Sequence, residues 1–234
     1  MSFVVIHTDP HHTDFSHEQA ELDAIGATLR PLNVTTEEEV AAACREADGL
    51  LVTYAKIGKV ALAGMPKLKI VVRTGVGYDS LDVPAATERK VMVANVPDYC
   101  VSDLTEHTMA LLLTWWRRIV ELDRQVRTEG WGRPVKPVYR LEGKTLGILG
   151  YGRLGRITAE HGRGFRMNVI AHELRDVPMP EGVRRVDFDT LLRESDVLCI
   201  HVHLTAANRR LVNADVLARM KPGAGTWPCR CAKF

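Results

Sequence analysis

Apolar and polar positions alternate between two periods along this chain. Short apolar runs of strand length, such as residues 3–6 and 69–73, are followed by segments in which apolar residues recur every three or four positions. Strands that alternate with helices predict parallel sheets joined by right-handed crossovers, and therefore an α/β fold. The other predicted strands span residues 49–54, 91–94, 145–149, 167–171 and 196–202.

The longest predicted helix spans residues 103–127. It has acidic residues near its start and arginines toward its end, the arrangement that a helix dipole favours. Apolar residues wrap nearly all round it over residues 109–116, which predicts burial on several sides. Shorter helices are predicted at residues 16–25, 60–63, 85–89, 188–193 and 214–220. Another is predicted to begin after a capping box formed by Thr36 and Glu39, and Asn213 is the predicted cap of the last helix. Residues 130–141 are rich in glycine and proline and show neither period, which predicts an irregular connector.

Residues 143–173 carry the clearest chemical pattern, a strand, three glycines, a helix and a second strand. Gly150 allows a tight turn, Gly152 lets a pyrophosphate approach the backbone, and Gly155 lets the helix pack on the strand. Glu173 ends the second strand, at the distance expected of a carboxylate that binds the adenosine ribose. The pattern predicts an NAD site over Gly150, Tyr151, Gly152, Arg153, Leu154, Gly155 and Glu173.

The neighbouring Arg175 offers an alternative, because an arginine in this position can hold the 2′-phosphate of NADP. Glu173 would repel that phosphate. We therefore expect NAD rather than NADP.

Three further stretches suggest chemistry. Residues 73–79 include two glycines at a strand end, where backbone N–H groups either bind an anion or form an ordinary turn. His201 and His203 follow a later strand, where cofactor contacts are more common than a catalytic base. His7 and His11 have HxxxH spacing, but Pro10 prevents a shared helix face, so a solvated loop without a metal is expected.

Composition narrows the class of protein. The 234 residues are 46% hydrophobic and 26% charged, which is typical of a globular chain with one or two cores. A net charge of +2 does not indicate binding to nucleic acid or to an anionic membrane. The N-terminus lacks a signal-peptide pattern, and residues 109–116 are too short to span a bilayer. Five cysteines without a CxxC pair predict reduced thiols and a cytoplasmic location.

Four motifs in this order resemble the D-isomer-specific 2-hydroxyacid dehydrogenases, especially the branch related to the C-terminal binding proteins. They are VVRTGVGYDSLDVPAATER, VANVPDYCVSDLTEHTMALLL, LEGKTLGILGYGRLGR and LVNADVLARMKPGA, within residues 67–224. The resemblance implies a flavodoxin-like substrate domain over residues 1–100 and a Rossmann-type NAD-binding domain over residues 101–234. It also implies a homodimer formed through the second domain.

The resemblance further implies a reaction and its site. A hydride moves between the nicotinamide and C2 of a 2-hydroxy or 2-keto acid, while an arginine holds the carboxylate and a histidine paired with a glutamate exchanges the proton. Val76 and Gly77 match the loop that holds the substrate carboxylate, and Val76 also touches the cofactor. The matching cofactor contacts are Thr108, Arg153, Leu154, Glu173, Val202 and Thr205, to which His201 is added by its position.

The chain departs from the family after residues 221–224. There the family has a strand ending in Asn-x-x-Arg-Gly, whereas this chain has GTWPCRC. Cys231 takes the place of the family's arginine, Arg230 is displaced by one residue and so faces the other way, and Pro228 suits a central strand poorly. No catalytic residue is assigned. We expect a truncated or frameshifted chain, with both domains incomplete at the C-terminus and impaired turnover.

Two other functions stay open from the sequence. One is a non-catalytic, NAD(H)-sensing binding protein of the C-terminal binding protein type. The other is a non-functional fragment, in which an unpaired sheet edge would favour aggregation.

Overall fold

The computed structural model describes residues 3–134, 136–202, 205 and 208–228, without the side chains of residues 227 and 228. The chain divides into two compact units, Met1–Tyr99 and Cys100–Phe234. Each unit is built on its own five-stranded sheet, and every pair of neighbouring strands is parallel. The α/β class expected from the alternating pattern is therefore confirmed.

The first unit has the flavodoxin-like strand order β2-β1-β3-β4-β5. Its strands are β1 (Phe3–His7), β2 (Ala27–Pro31), β3 (Gly49–Val52), β4 (Ile70–Arg73) and β5 (Met92–Asn95). The helices are α1 (Ser16–Asp23), α2 (Glu37–Ala43), α3 (Lys59–Gly64) and α4 (Val83–Glu88). Buried residues such as Ile6, Val40 and Leu62 form one hydrophobic core between the sheet and its helices.

Local signals explain where α2 begins. The Thr36 hydroxyl accepts a hydrogen bond from the Glu39 N–H, and the Glu39 carboxylate accepts one from the Thr36 N–H. The predicted capping box is thus confirmed. Strand β2, by contrast, was not predicted, because only Ala27 and Leu29 are buried and the strand ends at Pro31. Proline is tolerated there because β2 lies at the edge of the sheet.

The loop after β1 is only partly solvated. The expectation of a solvated loop is wrong for His7, Thr8 and Asp9, which are buried. The Asp9 carboxylate accepts hydrogen bonds from the N–H groups of Thr53, at 2.9 Å, and Ala55, at 3.0 Å. These bonds hold the loop against the end of β3. Residues 11–14 are exposed, as expected.

The second unit has the order β10-β9-β6-β7-β8. Counted from β6 as the first strand and read from the β8 edge, this is the dinucleotide-binding order 3-2-1-4-5. Its strands are β6 (Thr145–Leu149), β7 (Asn168–His172), β8 (Val183–Arg185), β9 (Val197–Ile200) and β10 (Gly225–Pro228). The helices are α5 (Val101–Trp116), α6 (Ile119–Glu129), α7 (Arg153–Gly164), α8 (Phe188–Glu194) and α9 (Ala214–Ala218). The predicted cap is confirmed, because the Asn213 side chain accepts from the Val216 N–H.

The single helix predicted over residues 103–127 is wrong, because α5 ends at Trp116 and α6 begins at Ile119. Between them Arg118 adopts the left-handed conformation, with φ of 55°. Its guanidinium Nε donates to Glu121 in the first turn of α6, at 2.8 Å, which favours a new helix start. In the single chain Leu111 and Trp115 are 42% and 43% exposed, so the burial on several sides expected between domains or subunits stays a prediction.

Strand β10 pairs with β9 at the edge of the second sheet, with Pro228 opposite Ile200. A proline is tolerated at such an edge, because its missing backbone N–H is not needed to pair with a further strand. Residues 130–134 and 136–141 are irregular, as predicted. Within the described part of the chain, none of the helices has the length and apolar character needed to cross a membrane.

Candidate functional site

The glycine-rich bend lies at the carboxyl end of β6. Gly150 has φ of +95°, a conformation that side chains rarely adopt. Its N–H donates to His172 O at 2.9 Å, and a Cβ on it would lie 3.0 Å from the backbone of His201 and Val202. The bend is therefore packed between the ends of β7 and β9, and only glycine fits its first position.

Gly155 brings α7 close to the strand. A Cβ there would lie 2.2 Å from the carbonyl oxygen of Gly150 and 3.1 Å from Ile148 Cγ2. These distances are too short for any side chain, because the nearer neighbour is backbone that cannot move independently. The expected role of this glycine in helix-strand packing is borne out by the geometry.

Gly152 is different, because the space beside it is open. It is the N-cap of α7, its φ is −82°, and no side chain caps the helix. Among the described residues, only the Arg175 Nη2 atom, at 3.9 Å, lies within 4 Å of a Cβ built on it. A helix N-terminus with free space beside it attracts and accommodates an anion, which fits the pyrophosphate of a dinucleotide.

Tyr151 contributes its backbone rather than its ring. The side chain is buried in the core together with Met109 and Leu112, and the guanidinium of Arg156 lies over the ring. Burial raises the pKa of the Tyr151 hydroxyl. The Tyr151 N–H points the other way and donates to Glu173 Oε2 at 3.0 Å. Only the backbone of this predicted cofactor residue is placed to face a ligand.

Glu173 lies at the end of β7 with its carboxylate directed at the bend. Besides the Tyr151 N–H, it accepts hydrogen bonds from the N–H, Nε and Nη2 of Arg175, each at 3.1 Å. The hydrogen bonds from the Arg175 side chain are the main reason that the pKa of Glu173 falls from 4.5 to about 2. The group is thus a carboxylate at any physiological pH, as a ribose-binding acid requires.

Arg185 was not singled out from the sequence. Its guanidinium Nη1 donates to the carbonyl oxygens of Glu173, at 3.0 Å, and Arg175, at 3.1 Å, and its Nη2 donates to Val177 O. These bonds fix the segment after β7. The strand that carries Arg185, β8, has three residues, of which only Val183 is buried, so no periodic signal reveals it.

The exit of β9 adjoins the same bend. The His201 N–H donates to Leu149 O at 2.8 Å, and Val202 Cγ1 lies 2.9 Å from the Cβ position of Gly150. The His201 ring is buried, and both of its nitrogens lack a hydrogen-bond partner among the described residues. Thr205 exchanges hydrogen bonds with Asn208. His203, the other candidate base, lies outside the described residues.

The remaining predicted contacts of this unit lie on two helices. Arg153 is exposed and Leu154 half-buried in the first turn of α7. Thr108 is buried on α5, and its hydroxyl donates to Leu104 O at 2.7 Å. Contacts of all these residues with a cofactor stay predictions.

Val76 and Gly77 belong to the first unit, in the loop after β4. The Asn95 amide donates to Val76 O at 2.8 Å, and the Val96 N–H donates to Gly75 O at 3.1 Å. Both predicted residues are half-buried. The carbonyl groups of the loop are thus held by the end of β5, and its role toward a substrate carboxylate stays a prediction.

The second unit matches a known family. The NAD-binding domain of the D-isomer specific 2-hydroxyacid dehydrogenases matches residues 109–225. A glyoxylate reductase of Thermococcus litoralis is 39% identical over 191 residues, covering 77% of this chain and 58% of that protein. A D-3-phosphoglycerate dehydrogenase of Mycobacterium leprae is 39% identical over 211 residues, covering 88% of this chain and 40% of that protein.

A solved structure agrees with these relatives. The D-lactate dehydrogenase of Aquifex aeolicus, complexed with NAD and lactic acid, superposes with a TM-score of 0.86 at 25% identity, covering 96% of this chain and 68% of that one. The chain thus spans about 58% and 40% of the lengths of the two relatives above. The narrower likeness to C-terminal binding proteins stays a prediction. The match over residues 109–225, together with the bend and the acid that faces it, shows that the chain belongs to the D-isomer-specific 2-hydroxyacid dehydrogenase family and carries its NAD-binding domain.

Proposed function

We propose that the protein is an NAD-dependent oxidoreductase that acts on the CH–OH group of D-2-hydroxy acids. The observation that carries this proposal is the open space beside Gly152 at the carboxyl edge of a Rossmann-type sheet, with the Glu173 carboxylate held by the N–H of the adjacent Tyr151. The pyrophosphate would lie against Gly152 and the start of α7, and Glu173 would accept hydrogen bonds from the ribose hydroxyls. When bound, the nicotinamide accepts or supplies the hydride.

The substrate class follows from the relatives. Their names include glyoxylate reductase and D-lactate dehydrogenase, so a small 2-keto acid and its 2-hydroxy form are the proposed substrate pair. In this chain the backbone N–H groups of Val76 and Gly77 would bind the substrate carboxylate. Asn95 supports that role, because its amide fixes the Val76 carbonyl and so the orientation of the loop.

We propose weak or no turnover for these 234 residues by themselves. The arginine and the histidine-glutamate pair that the family uses have no match among them, and Cys231, in the arginine's place, lies outside the described residues. Loss of a general acid or base lowers a rate by about 10²- to 10⁴-fold. NAD binding needs none of the three side chains and should persist.

The test combines binding with turnover. The purified chain is titrated with NADH by fluorescence, and NADH oxidation is then followed with glyoxylate and with pyruvate. The glyoxylate reductase of Thermococcus litoralis serves as the active reference. We expect saturable NADH binding with a rate at least about 10²-fold below the reference. A comparable rate would refute the impairment, and absence of NADH binding would refute the proposed function.

A homodimer formed through the second unit is part of the proposal. Leu111 and Trp115 lie four residues apart on α5 and so share a face, and Ile119 and Val120 at the start of α6 are also exposed. Large exposed apolar side chains so close together in sequence favour an interface. We name these four residues the apolar face and assign a second copy of the chain to it.

A non-catalytic, NAD(H)-sensing binding protein is the second candidate. The complete glycine bend, combined with Cys231 in the place of the family's arginine, favours it. A pull-down with and without NADH distinguishes the sensor from the enzyme. The amount of partner protein that a sensor retains would change when NADH is added. A cytoplasmic location, expected from the cysteine content, stays a prediction.

A further inference from the structure

A group of potential metal ligands lies in the first unit, and the proposed dehydrogenase reaction does not use it. His7 at the end of β1, His12 in the following loop and Glu18 in the first turn of α1 each bring one ligand atom within 4.8 Å of the other two. His12 Nε2 and Glu18 Oε1 are 2.7 Å apart. Two imidazoles and one carboxylate form a ligand set that zinc-type cations prefer, whereas Ca²⁺ and Mg²⁺ prefer oxygen ligands.

A chain of hydrogen bonds leads to His7 Nε2. The Thr74 hydroxyl oxygen is 3.1 Å from Val52 O and 3.2 Å from Thr53 Oγ1. His7 Nε2 is 3.3 Å from Thr53 Oγ1. We assign the Thr74 proton to Val52 O, which makes the Thr53 hydroxyl the donor to Thr74 and His7 Nε2 the donor to Thr53.

The other nitrogen of His7 is consequently an acceptor with a free lone pair. The residue is 1% exposed, and its Nδ1 is buried without a hydrogen-bond partner in the described structure. A buried imidazole with one N–H held by a neighbour and the other nitrogen free is the usual state of a metal-ligating histidine.

The surroundings hold the three ligands in place. The Phe15 ring lies 6.2 Å from the His7 ring and 4.8 Å from the His12 ring, measured between centroids, and covers one side of the group. Asp9, although close in sequence, is committed to the backbone N–H groups of Thr53 and Ala55. It therefore anchors the loop rather than adding a fourth ligand.

We propose that His7 Nδ1, His12 Nε2 and Glu18 form a binding site for a divalent cation of the zinc type. The cation would bind in place of the direct contact between His12 Nε2 and Glu18 Oε1. Three protein ligands leave the fourth tetrahedral position to water or a small ligand. The alternative is a hydrogen-bonded group without a metal, which accounts for the His12–Glu18 pair but leaves the buried His7 Nδ1 unpaired.

The test uses the tag-free chain, stripped of metal, with Zn²⁺ in calorimetry and Co²⁺ as a spectroscopic probe. Visible Co²⁺ bands report tetrahedral binding, and near-ultraviolet charge-transfer bands would reveal thiolate ligands. This distinction matters because Cys229 and Cys231 lie outside the described residues. Cys44 is a poor rival, since burial raises its pKa to about 11.

The variants are His12→Ala and Glu18→Gln, with His17→Ala as the matched control because His17 is exposed and adjacent to Glu18. Thr53→Val removes the acceptor of His7 Nε2 and tests the tautomer argument. We expect one cation per chain, no thiolate bands, and affinity lowered by at least about tenfold in the two ligand variants and by about tenfold in Thr53→Val. His17→Ala should bind like the unaltered chain, and circular dichroism checks that each variant is folded.

Three results would overturn the proposal. They are no stoichiometric binding by the unaltered chain, equal affinity in the folded His12→Ala and Glu18→Gln variants, or Co²⁺ bands that indicate thiolate ligands. NADH binding is measured in parallel on the same proteins, because all the variants lie in the first unit and should leave the NADH site intact. If NADH still binds while the cation does not, the metal site fails and the proposed function stands.

Discussion

The Glu173 carboxylate accepts a hydrogen bond from the Tyr151 N–H, with 3.0 Å between Oε2 and N. This bond joins the end of β7 to the bend after β6, although the two residues are separated by a complete helix. Arg175 holds the carboxylate from the other side. The acid is therefore oriented toward the bend before a cofactor binds, and little side-chain entropy remains to be lost on binding.

Replacing Glu173 should change both cofactor affinity and cofactor choice. In Glu173→Gln the ribose hydroxyls lose a charged acceptor worth about 1.5–3 kcal/mol, so the Kd for NADH should rise by roughly 10- to 100-fold. NADPH should be affected less, because the amide no longer repels its 2′-phosphate and Arg175 becomes free to pair with it. Fluorescence titration of both nucleotides gives the ratio.

Glu142→Gln is the matched control for that experiment. Glu142 is an exposed carboxylate that pairs with Arg166 at 3.2 Å before β6 begins. Its loss should leave both affinities unchanged. Tighter binding of NADPH than of NADH by the unaltered chain would contradict the assignment of NAD.

The same carboxylate should make stability depend on pH. The pKa of Glu173 is about 2 in the folded chain and 4.5 ordinarily, so the folded state favours the charged form. Its contribution is complete above pH 4.5 and is lost as pH falls toward about 2. The gap in unfolding free energy between the unaltered chain and Glu173→Gln, from urea titrations, should therefore narrow across this window. A difference in unfolding free energy that stays constant with pH would contradict the lowering of the Glu173 pKa by its ion pair with Arg175.

Two glycines of α7 should respond oppositely to alanine. A Cβ on Gly155 would meet the Gly150 carbonyl oxygen at 2.2 Å, whereas no atom of the described residues lies within 4 Å of a Cβ on Gly164. Gly155→Ala should cost about 1–3 kcal/mol by overpacking. Gly164→Ala should be neutral or stabilising by up to about 1 kcal/mol, because alanine lowers the entropy of the unfolded chain. Equal urea midpoints for the two variants would show that the helix does not pack on the bend as described.

Charges placed on the apolar face should separate the two copies. Leu111→Glu combined with Ile119→Glu would bury unpaired carboxylates in the proposed interface, which is strongly unfavourable. Light scattering after gel filtration should report a dimer for the unaltered chain and a monomer for the variant. Ile25→Glu alters an exposed residue of the first unit and serves as the control. A monomeric unaltered chain would rule out the homodimer.

The sequence predicted the parts of the fold that depend on local rules. Gly150, Gly152 and Gly155 follow from backbone geometry at one bend, and Thr36 and Asn213 follow from capping, so residue type and spacing were enough. The acid at Glu173 could be predicted because the length of a helix and a strand determines where the second strand ends.

The missing features depend on contacts between distant residues. Nothing in Arg117 or Arg118 marks a helix end, because the left-handed residue is neither glycine nor asparagine. Strands β2 and β8 bury too few side chains to show a period. The burial of His7 depends on Thr53, which contacts His7 and holds the nearby Asp9 only after the sheet has formed. Contacts of this kind leave no periodic or spacing pattern in the local sequence.

Titration of Gly152→Val with NADH tests the central claim most directly. Because the space beside Gly152 is open and its φ is −82°, a valine should leave the fold intact while filling the place of the pyrophosphate. The thermal midpoint should fall modestly, because valine is a poorer N-cap than glycine. We predict saturable NADH fluorescence for the unaltered chain and none for the folded variant. Equal binding by both would show that no dinucleotide lies against this bend.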